Sequence, residues 1–347
     1  MHFLITGHTG FKGAWLTLLL KERGHSVSGF SLGVDEGALF EEARIQSDLT
    51  DDLRGDIRSF SSVINALEKT KPDVVIHLAA QSLVRRSYDL PEFTLETNVL
   101  GTANVLSAIS QHPGIKATLI VTTDKVYFNR NNTIPYKETD TLKGSDPYSS
   151  SKALADLYAQ SWIEFGESRP IGIARAGNVI GGGDVCAERL VPEIYDSLKL
   201  GREIQLRYPE AIRPWQHVLD CLNGYLTIVN HLITETTSGI WNIGPTEKSN
   251  KTVRELTELL IFQNSSHVKW VPQKKDEIRE EHFLSLNSIK AMEELKWRNY
   301  INFEETVSWT SNWYKSVENA ISIRETTLNQ IRKFEALISP QSREKEQ

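Results

Sequence analysis

At 347 residues, 39% of them hydrophobic and 24% charged, the chain is long enough for two domains or one large α/β unit of ordinary globular composition. A net charge of −6 excludes the basic footprint of a nucleic-acid binder, so any anionic ligand must be met by local Arg or Lys. The two cysteines, Cys186 and Cys221, lack metal-ligand spacing and read as small core residues in a reducing compartment, with neither a disulfide nor a metal. No apolar run approaches the ~18 residues that would span a membrane. The chain enters a strand directly after Met1, with no signal-peptide pattern. The expectation is a cytoplasmic protein that binds neither nucleic acid nor membrane.

Phe3-Leu4-Ile5 predicts a short buried strand, and Ala14-Trp15-Leu16-Thr17-Leu18-Leu19-Leu20 an apolar helix. Between them stands Gly7-His8-Thr9-Gly10-Phe11-Lys12-Gly13, with glycines at G-x-x-G-x-x-G spacing. Glycines alone are often turn punctuation. Strand, glycine triad and helix in that order point instead to a dinucleotide site. A tight turn brings the backbone close to a pyrophosphate, and the free N–H groups of the helix N-terminus face its oxygens. Gly7, Thr9, Gly10, Phe11, Lys12 and Gly13 are the cofactor candidates of this loop.

Gly24 ends the helix, and His25 to Phe30 reads as the second strand. Where a NAD site usually carries an acid for the ribose 2′-OH, this chain has Ser31-Leu32-Gly33; its first acids are Asp35 and Glu36, and no Arg replaces them. NAD is therefore preferred over NADP without being required. Asp56, beside Ile57, is placed either to hold adenine or to cap the helix around Phe60 to Lys69, and both roles stay open. Pro72 to Ala80 reads as a buried strand running into Leu78, Ala79 and Ala80, small enough at its end for a cofactor to approach. A helix from Thr97 to Gln111, carrying Asn98, precedes a further strand at Leu119-Ile120-Val121. Strands alternating with helices predict an α/β fold with a doubly wound parallel sheet, its ligands at the carboxyl ends of the strands.

Thr122-Thr123-Asp124-Lys125 lies at such an end. Thr123 is placed to hydrogen-bond a substrate hydroxyl, and Asp124 and Lys125 to exchange protons with it; the plainer reading is a loop exit whose polar groups meet water. Downstream, Ser145 or Asp146 can cap a helix with Pro147 at its first position. Tyr148 and Lys152 are then four apart on one face. An ammonium beside a phenol favours the phenolate and lowers its pKa from ~10. Y-x-x-x-K is common by chance, but here it follows a dinucleotide loop.

The glycine loop, His77-Leu78-Ala79-Ala80, Thr123-Asp124, Tyr148-x-x-x-Lys152 and Arg175-x-x-Asn178-Val179 together resemble the extended short-chain dehydrogenase/reductases that modify nucleotide sugars. Thr6-Gly7-His8-Thr9-Gly10-Phe11-Lys12-Gly13, Asp124-Lys125 in place of Asp-Glu, Arg175 to Asp184 and Arg213-Pro214-Trp215-Gln216-His217-Val218 look most like the CDP-glucose branch of the 4,6-dehydratases, over residues 1 to about 330. The resemblance implies a Rossmann domain with bound NAD and a lyase cycle in deoxysugar biosynthesis, of the kind that supplies lipopolysaccharide O-antigen. Tyr148 would take the sugar 4-OH proton while hydride leaves C4. Lys152 would lower the phenol's pKa and hold the nicotinamide ribose. Asp124 would protonate the departing C6 hydroxyl, and hydride would return at C6. It also implies a homodimer or homotetramer through helices around Thr97 to Ser110 and Ser151 to Phe165. Lys125 departs from the Glu that removes the C5 proton in dTDP-glucose relatives. It is either the base itself or an electrostatic stabiliser of the enolate.

In the second half, Asn178 and Gly181-Gly182-Gly183 begin the substrate region, and Arg189-Leu190-Val191-Pro192 opens a helix through about Leu200. Arg189, Arg207 and Arg213 flank a predicted strand, Glu203 to Leu206, and guanidinium forks suit a diphosphate. With the family pattern they join Asn178 and Leu190 as substrate candidates. Trp215 and His217 read first as structural; on a second reading they stack on or orient the ligand. Further elements are a strand at Trp241 to Ile243, a helix capped by Thr252, a strand at Glu281 to Leu286, and helices at Ser288 to Leu295, Phe303 to Val317 and Ile321 to Leu337. The expected division is a NAD-binding domain of residues 1–175 with about 206–240, a smaller interleaved nucleotide-sugar domain of 176–205 and 241–337, and a disordered tail, 338–347. The alternatives are a 4-epimerase, a dehydratase of dTDP-, GDP- or UDP-sugars, and, outside the enzymes, a redox-sensing NAD-binding regulator, which tends to lose the Tyr and Lys retained here.

Overall fold

Short apolar runs become the strands of one parallel sheet. The computed structural model describes residues 1–130, 132–166, 169–273, 281–319 and 321–339. The predicted tail beyond Ser339 lies outside the described residues. In chain order the strands are β1 His2–Thr6, β2 Ser26–Ser31, β3 Asp52–Arg54, β4 Val74–His77, β5 Ala117–Val121 and β6 Ile171–Ala176. After them come β7 Val179–Ile180, β8 Ile204–Leu206, β9 Ile212–Pro214, β10 Gln216–His217, β11 Gly239–Ile243, β12 Asn250–Thr252 and β13 Trp270–Pro272. The sheet has seven strands in the order β3-β2-β1-β4-β5-β6-β11, all parallel. β4, β5 and β6 are buried at every residue because helices cover both faces.

One face packs the first helix, Phe11–Glu22, and the helix Val218–Glu235 into a core with Trp15, Leu16, Trp241, Trp309, Trp313 and Phe334. The other packs the helices Phe60–Thr70 and Gly101–Ser110 against Leu4, Phe30 and Val75. A third core, around Ile194, Leu206, Trp215, Leu256 and Val307, belongs to the lobe built after β6. There β7 pairs with β10, β9 with β12 and β8 with β13. The helix Val218–Glu235 and β11 bring the chain back to the sheet.

Three local readings need correction. The helix Phe60–Thr70 is capped by Ser59, whose hydroxyl accepts the Ser62 N–H at 3.3 Å. Asp56 instead turns back on Arg58, so it does not cap the helix. Glu281 to Leu286 forms no strand; it makes isolated bridges from Phe283 to Ile212 and from Leu286 to Tyr136, because its pairing is divided between two segments. Cys221 is buried as a core residue should be, whereas Cys186 is only partly buried, on the wall of a groove.

Candidate active site

The helix Pro147–Glu164 is fixed at its start by a reciprocal cap. The Asp146 carboxylate accepts the Ser149 N–H at 2.8 Å, and the Ser149 hydroxyl accepts the Asp146 N–H at 3.0 Å. With Pro147 at the first position, Tyr148 and Lys152 come to one face, against the end of β5. The Lys152 ammonium donates to the Val121 carbonyl at 2.9 Å. Burial pushes the Tyr148 phenol up to about 12, against the Thr123 hydrogen bond that favours its ionised form. Burial also pulls Lys152 down to about 8, assisted by the charge of Lys12 and opposed by Asp156. The expectation that Lys152 lowers the phenol's pKa is not met by this geometry: the ammonium sits on a carbonyl, and desolvation dominates both groups.

Beyond the β5 end, the Thr123 hydroxyl donates to Asp124 Oδ1 at 3.1 Å. Asp124 is buried, and its Oδ2 has no hydrogen-bond partner among the described residues. Gly177 passes so close that a Cβ there would lie 2.9 Å from Oδ2. Burial pushes the Asp124 carboxyl up, while Lys125, Thr123, Arg213 and Lys12 pull it down. This is the environment an acid needs to keep its proton near neutral pH. Lys125 is half-buried beside it. Glu281 accepts a hydrogen bond from the Ser145 hydroxyl at 3.3 Å, and burial pushes its carboxyl up next to Lys125 and Asp124. No local pattern in the sequence signals Glu281, which arrives from the far lobe.

Two grooves meet at Tyr148. The first, of about 400 Å³, is lined by Gly7, Thr9, Gly10, Phe11, Lys12, Gly13, Asp56, Ile57, Leu78, Ala79, Ala80, Tyr148 and Lys152 among others. Asn98 is not on its wall. Its amide holds the Gln81 backbone and the Ser151 hydroxyl from behind, which corrects its assignment as a direct contact. Sequence reasoning missed Arg58 and Arg86 on this wall; Arg58 grips Asp56 at 2.7 Å, so that carboxylate is already engaged. Gly7 has φ +77°, and a Cβ on Gly13 would lie 2.3 Å from the Gly7 carbonyl oxygen. A side chain at either position would destroy the turn. A glycine turn opening into a helix N-terminus above a groove of this size fits a dinucleotide.

The second groove, of about 340 Å³, is lined by Thr123, Asp124, Lys125, Tyr148, Asn178, Arg189, Leu190, Arg207 and Arg213 among others. Arg189 pairs with Asp184 at 3.0 Å and donates to the Ser82 hydroxyl at 2.8 Å, while Arg207 pairs with Glu193. Gln205 and Tyr208, which the sequence did not single out, also line it, as does Trp215, whose second reading was a ligand role. His217 is absent from the wall. It is fully buried, its ring lies 6.3 Å from Trp15 and 5.4 Å from Trp309, and Nδ1 accepts the Leu219 N–H. Burial pulls the imidazole down to about 3, so His217 is a neutral helix cap in the core rather than a ligand contact.

Behind the site, Arg175 forks onto Asp156 at 2.7 and 2.9 Å, both side chains buried. The same guanidinium reaches the Tyr127 hydroxyl at 3.0 Å, and Asp156 accepts the Thr122 hydroxyl at 2.8 Å. One ion pair therefore joins β6, the Tyr148 helix and the Asp124 loop.

The chain matches the family described as GDP-mannose 4,6 dehydratase over residues 4–310. It is 39% identical, over 323 residues, to a CDP-glucose 4,6-dehydratase of Salmonella typhimurium, covering 90% of each chain. Among solved structures it resembles the dTDP-glucose 4,6-dehydratase DesIV of Streptomyces venezuelae with NAD and TYD bound. The TM-score is 0.79 at 26% identity, with 92% of this chain and 99% of that one covered. A UDP-glucose 4-epimerase of Thermotoga maritima has the same TM-score, 0.79, at 22% identity over 92% and 100% of the two chains, a likeness of fold alone.

Proposed function

Because the chain belongs to the GDP-mannose 4,6 dehydratase family, a nucleotide-sugar branch of the extended short-chain dehydrogenase/reductases, we propose that it is a NAD-dependent 4,6-dehydratase of CDP-glucose. Its product is the 4-keto-6-deoxy sugar nucleotide, a precursor for deoxysugars such as those of O-antigen. The observation that carries this reading is the buried Asp124 carboxyl, with one oxygen unpartnered among the described residues, beside the phenol where two grooves meet. A 4-epimerase needs no such acid; a dehydratase does.

Bound NAD supplies the acceptor for the C4 hydride and the donor for C6. Gly7, Gly10 and Gly13 bring backbone N–H groups to its pyrophosphate, and Lys152 holds the nicotinamide ribose. Tyr148 takes the 4-OH proton while Thr123 hydrogen-bonds that oxygen. The ketone acidifies the C5 proton. Asp124 then gives its proton to the C6 hydroxyl, which leaves as water. Arg189, Arg207 and Arg213 face the diphosphate. The exposed apolar residues Leu95, Leu100, Leu154, Leu157 and Tyr158, on neighbouring helices, support pairing with a second copy. With no described helix long and apolar enough to cross a membrane, cytoplasmic residence completes the reading.

The test is incubation with CDP-, dTDP-, GDP- and UDP-glucose. A keto-sugar chromophore in alkali and a product lighter by one water, greatest with CDP-glucose, support the proposal. Unchanged product mass would establish epimerisation instead. Asp124→Asn is expected to lower keto-deoxy sugar formation about 100-fold or more while the first oxidation persists, seen as accumulated NADH absorbance. Lys125→Gln tests the base role with C5-deuterated substrate: a base at Lys125 requires loss of C5 exchange, and retained exchange removes that role.

A further inference from the structure

Lys12 stands where helix electrostatics disfavour a cation. It is the second residue of Phe11–Glu22, whose N-terminus already carries partial positive charge and whose first turn contains no acid. Its ammonium donates to the neutral Tyr225 hydroxyl at 3.2 Å and makes no ion pair among the described residues. Tyr225 is itself fully buried, which fixes the ammonium from below. Lys12 also lines both grooves. The charged side chains common to the two walls are Lys12, Asp184 and Arg189, and the last two neutralise each other at 3.0 Å. Lys12 is thus a cation at the crossing that no described carboxylate neutralises. A residue that breaks its local rule without structural compensation marks a functional position.

We propose that Lys12 is a catalytic residue of the elimination, binding the sugar O4 as negative charge builds there. The assignment rests on the dehydratase reading. Hydride can leave C4 only where the grooves cross, which puts O4 near Tyr148 and Lys12, two of the polar side chains that line both walls, with Thr123 on the substrate side. Transfer of the C5 proton to a base, Lys125 in its neutral form or another group of the site if Lys125 only stabilises the enolate, sends the C–H electron pair through C4 onto O4, giving an enolate. The pair then returns to re-form the C4 carbonyl and the C5–C6 double bond, expelling the C6 hydroxyl, which takes the Asp124 proton and departs as water. Negative charge builds on O4 as the enolate forms, and also in the two hydride-transfer steps, but is absent from bound substrate, so a fixed cation there favours the transition states over bound substrate. The other lysine on the cofactor wall, Lys152, is held on the Val121 carbonyl. A phenol partner anchors Lys12 without cancelling its charge. Its field already reaches both Lys152 and Asp124, pulling each carboxyl or ammonium pKa down.

The experiment is Lys12→Met against Lys12→Arg, each measured for NAD affinity, CDP-glucose affinity, turnover and C5 hydrogen exchange with solvent. In Lys12→Met, turnover and C5 exchange are expected to fall together by about 100-fold with both affinities within about twofold of the parent; Lys12→Arg recovers most of the loss. Wild-type-like exchange in Lys12→Met overturns the proposal, as does a loss of NAD affinity large enough to account for the whole effect. Should Lys12→Met fail to fold, Tyr225→Phe keeps the ammonium but removes its anchor: C5 exchange falls several-fold, and unchanged exchange again overturns it. Failure of the parent reading is seen separately, as a wild type that forms no keto sugar.

Discussion

Replacing Tyr148 by Phe is expected to lower turnover by about 10²- to 10⁴-fold, the range for losing a positioned acid–base group. Only the hydroxyl is removed. The ring keeps its buried place, and the backbone N–H keeps its bond to the Ser87 hydroxyl at 3.1 Å, so the helix start stays where it is. NAD and CDP-glucose affinities should therefore survive. The variant should form no transient NADH, because without the phenolate the first oxidation does not begin; this separates it from Asp124→Asn. In the parent, the active form is the deprotonated phenol. Burial pushes that group up to about 12, so the rate must rise with pH along the acid limb of the profile, and the limb must vanish in Tyr148→Phe. A variant that oxidises C4 at the parent rate would remove Tyr148 from the mechanism.

Replacing Arg175 by Met is expected to cost about 3–5 kcal/mol of stability, the range for breaking a buried ion pair from one side. Asp156 would keep the Thr122 hydroxyl and the Gln160 amide at 2.7 Å, but it would be buried without its ion-pair partner. Tyr127 and the Glu138 carbonyl would lose a donor at the same time. Urea unfolding measures the loss as a lower midpoint at unchanged slope. The double variant Arg175→Met, Asp156→Asn should recover part of it, since no charge is then stranded. Full stability in the single variant would mean that the pair does not clamp the Tyr148 helix to the sheet.

Local chemistry made much of this protein legible. The glycine loop could be read because its strand, turn and helix are contiguous, and the start of the Tyr148 helix because Asp146, Pro147 and Ser149 act within one turn. Parallel strands buried on both faces announce themselves as apolar runs, which is why β1, β4 and β5 were found. Glu281 to Leu286 misled for the opposite reason: a strand-like composition says nothing about whether one partner runs alongside it. His217 misled as well, because a histidine in a motif of arginines and aromatics can face a ligand or a core, and only the packing of Trp15 and Trp309 decides between them.

What the amino-acid order determined by itself was the class of fold, the dinucleotide loop and the set of polar residues at one strand end, since each depends on neighbours within a few residues. The tertiary structure alone decided their charge states and meeting points. Burial of Asp124 against Gly177, the transfer of Lys152 onto a carbonyl, and the joining of Lys12 to Tyr225 across 213 positions all depend on contacts between distant segments. Desolvation and field are properties of the assembled surroundings, and no stretch of chain carries them on its own.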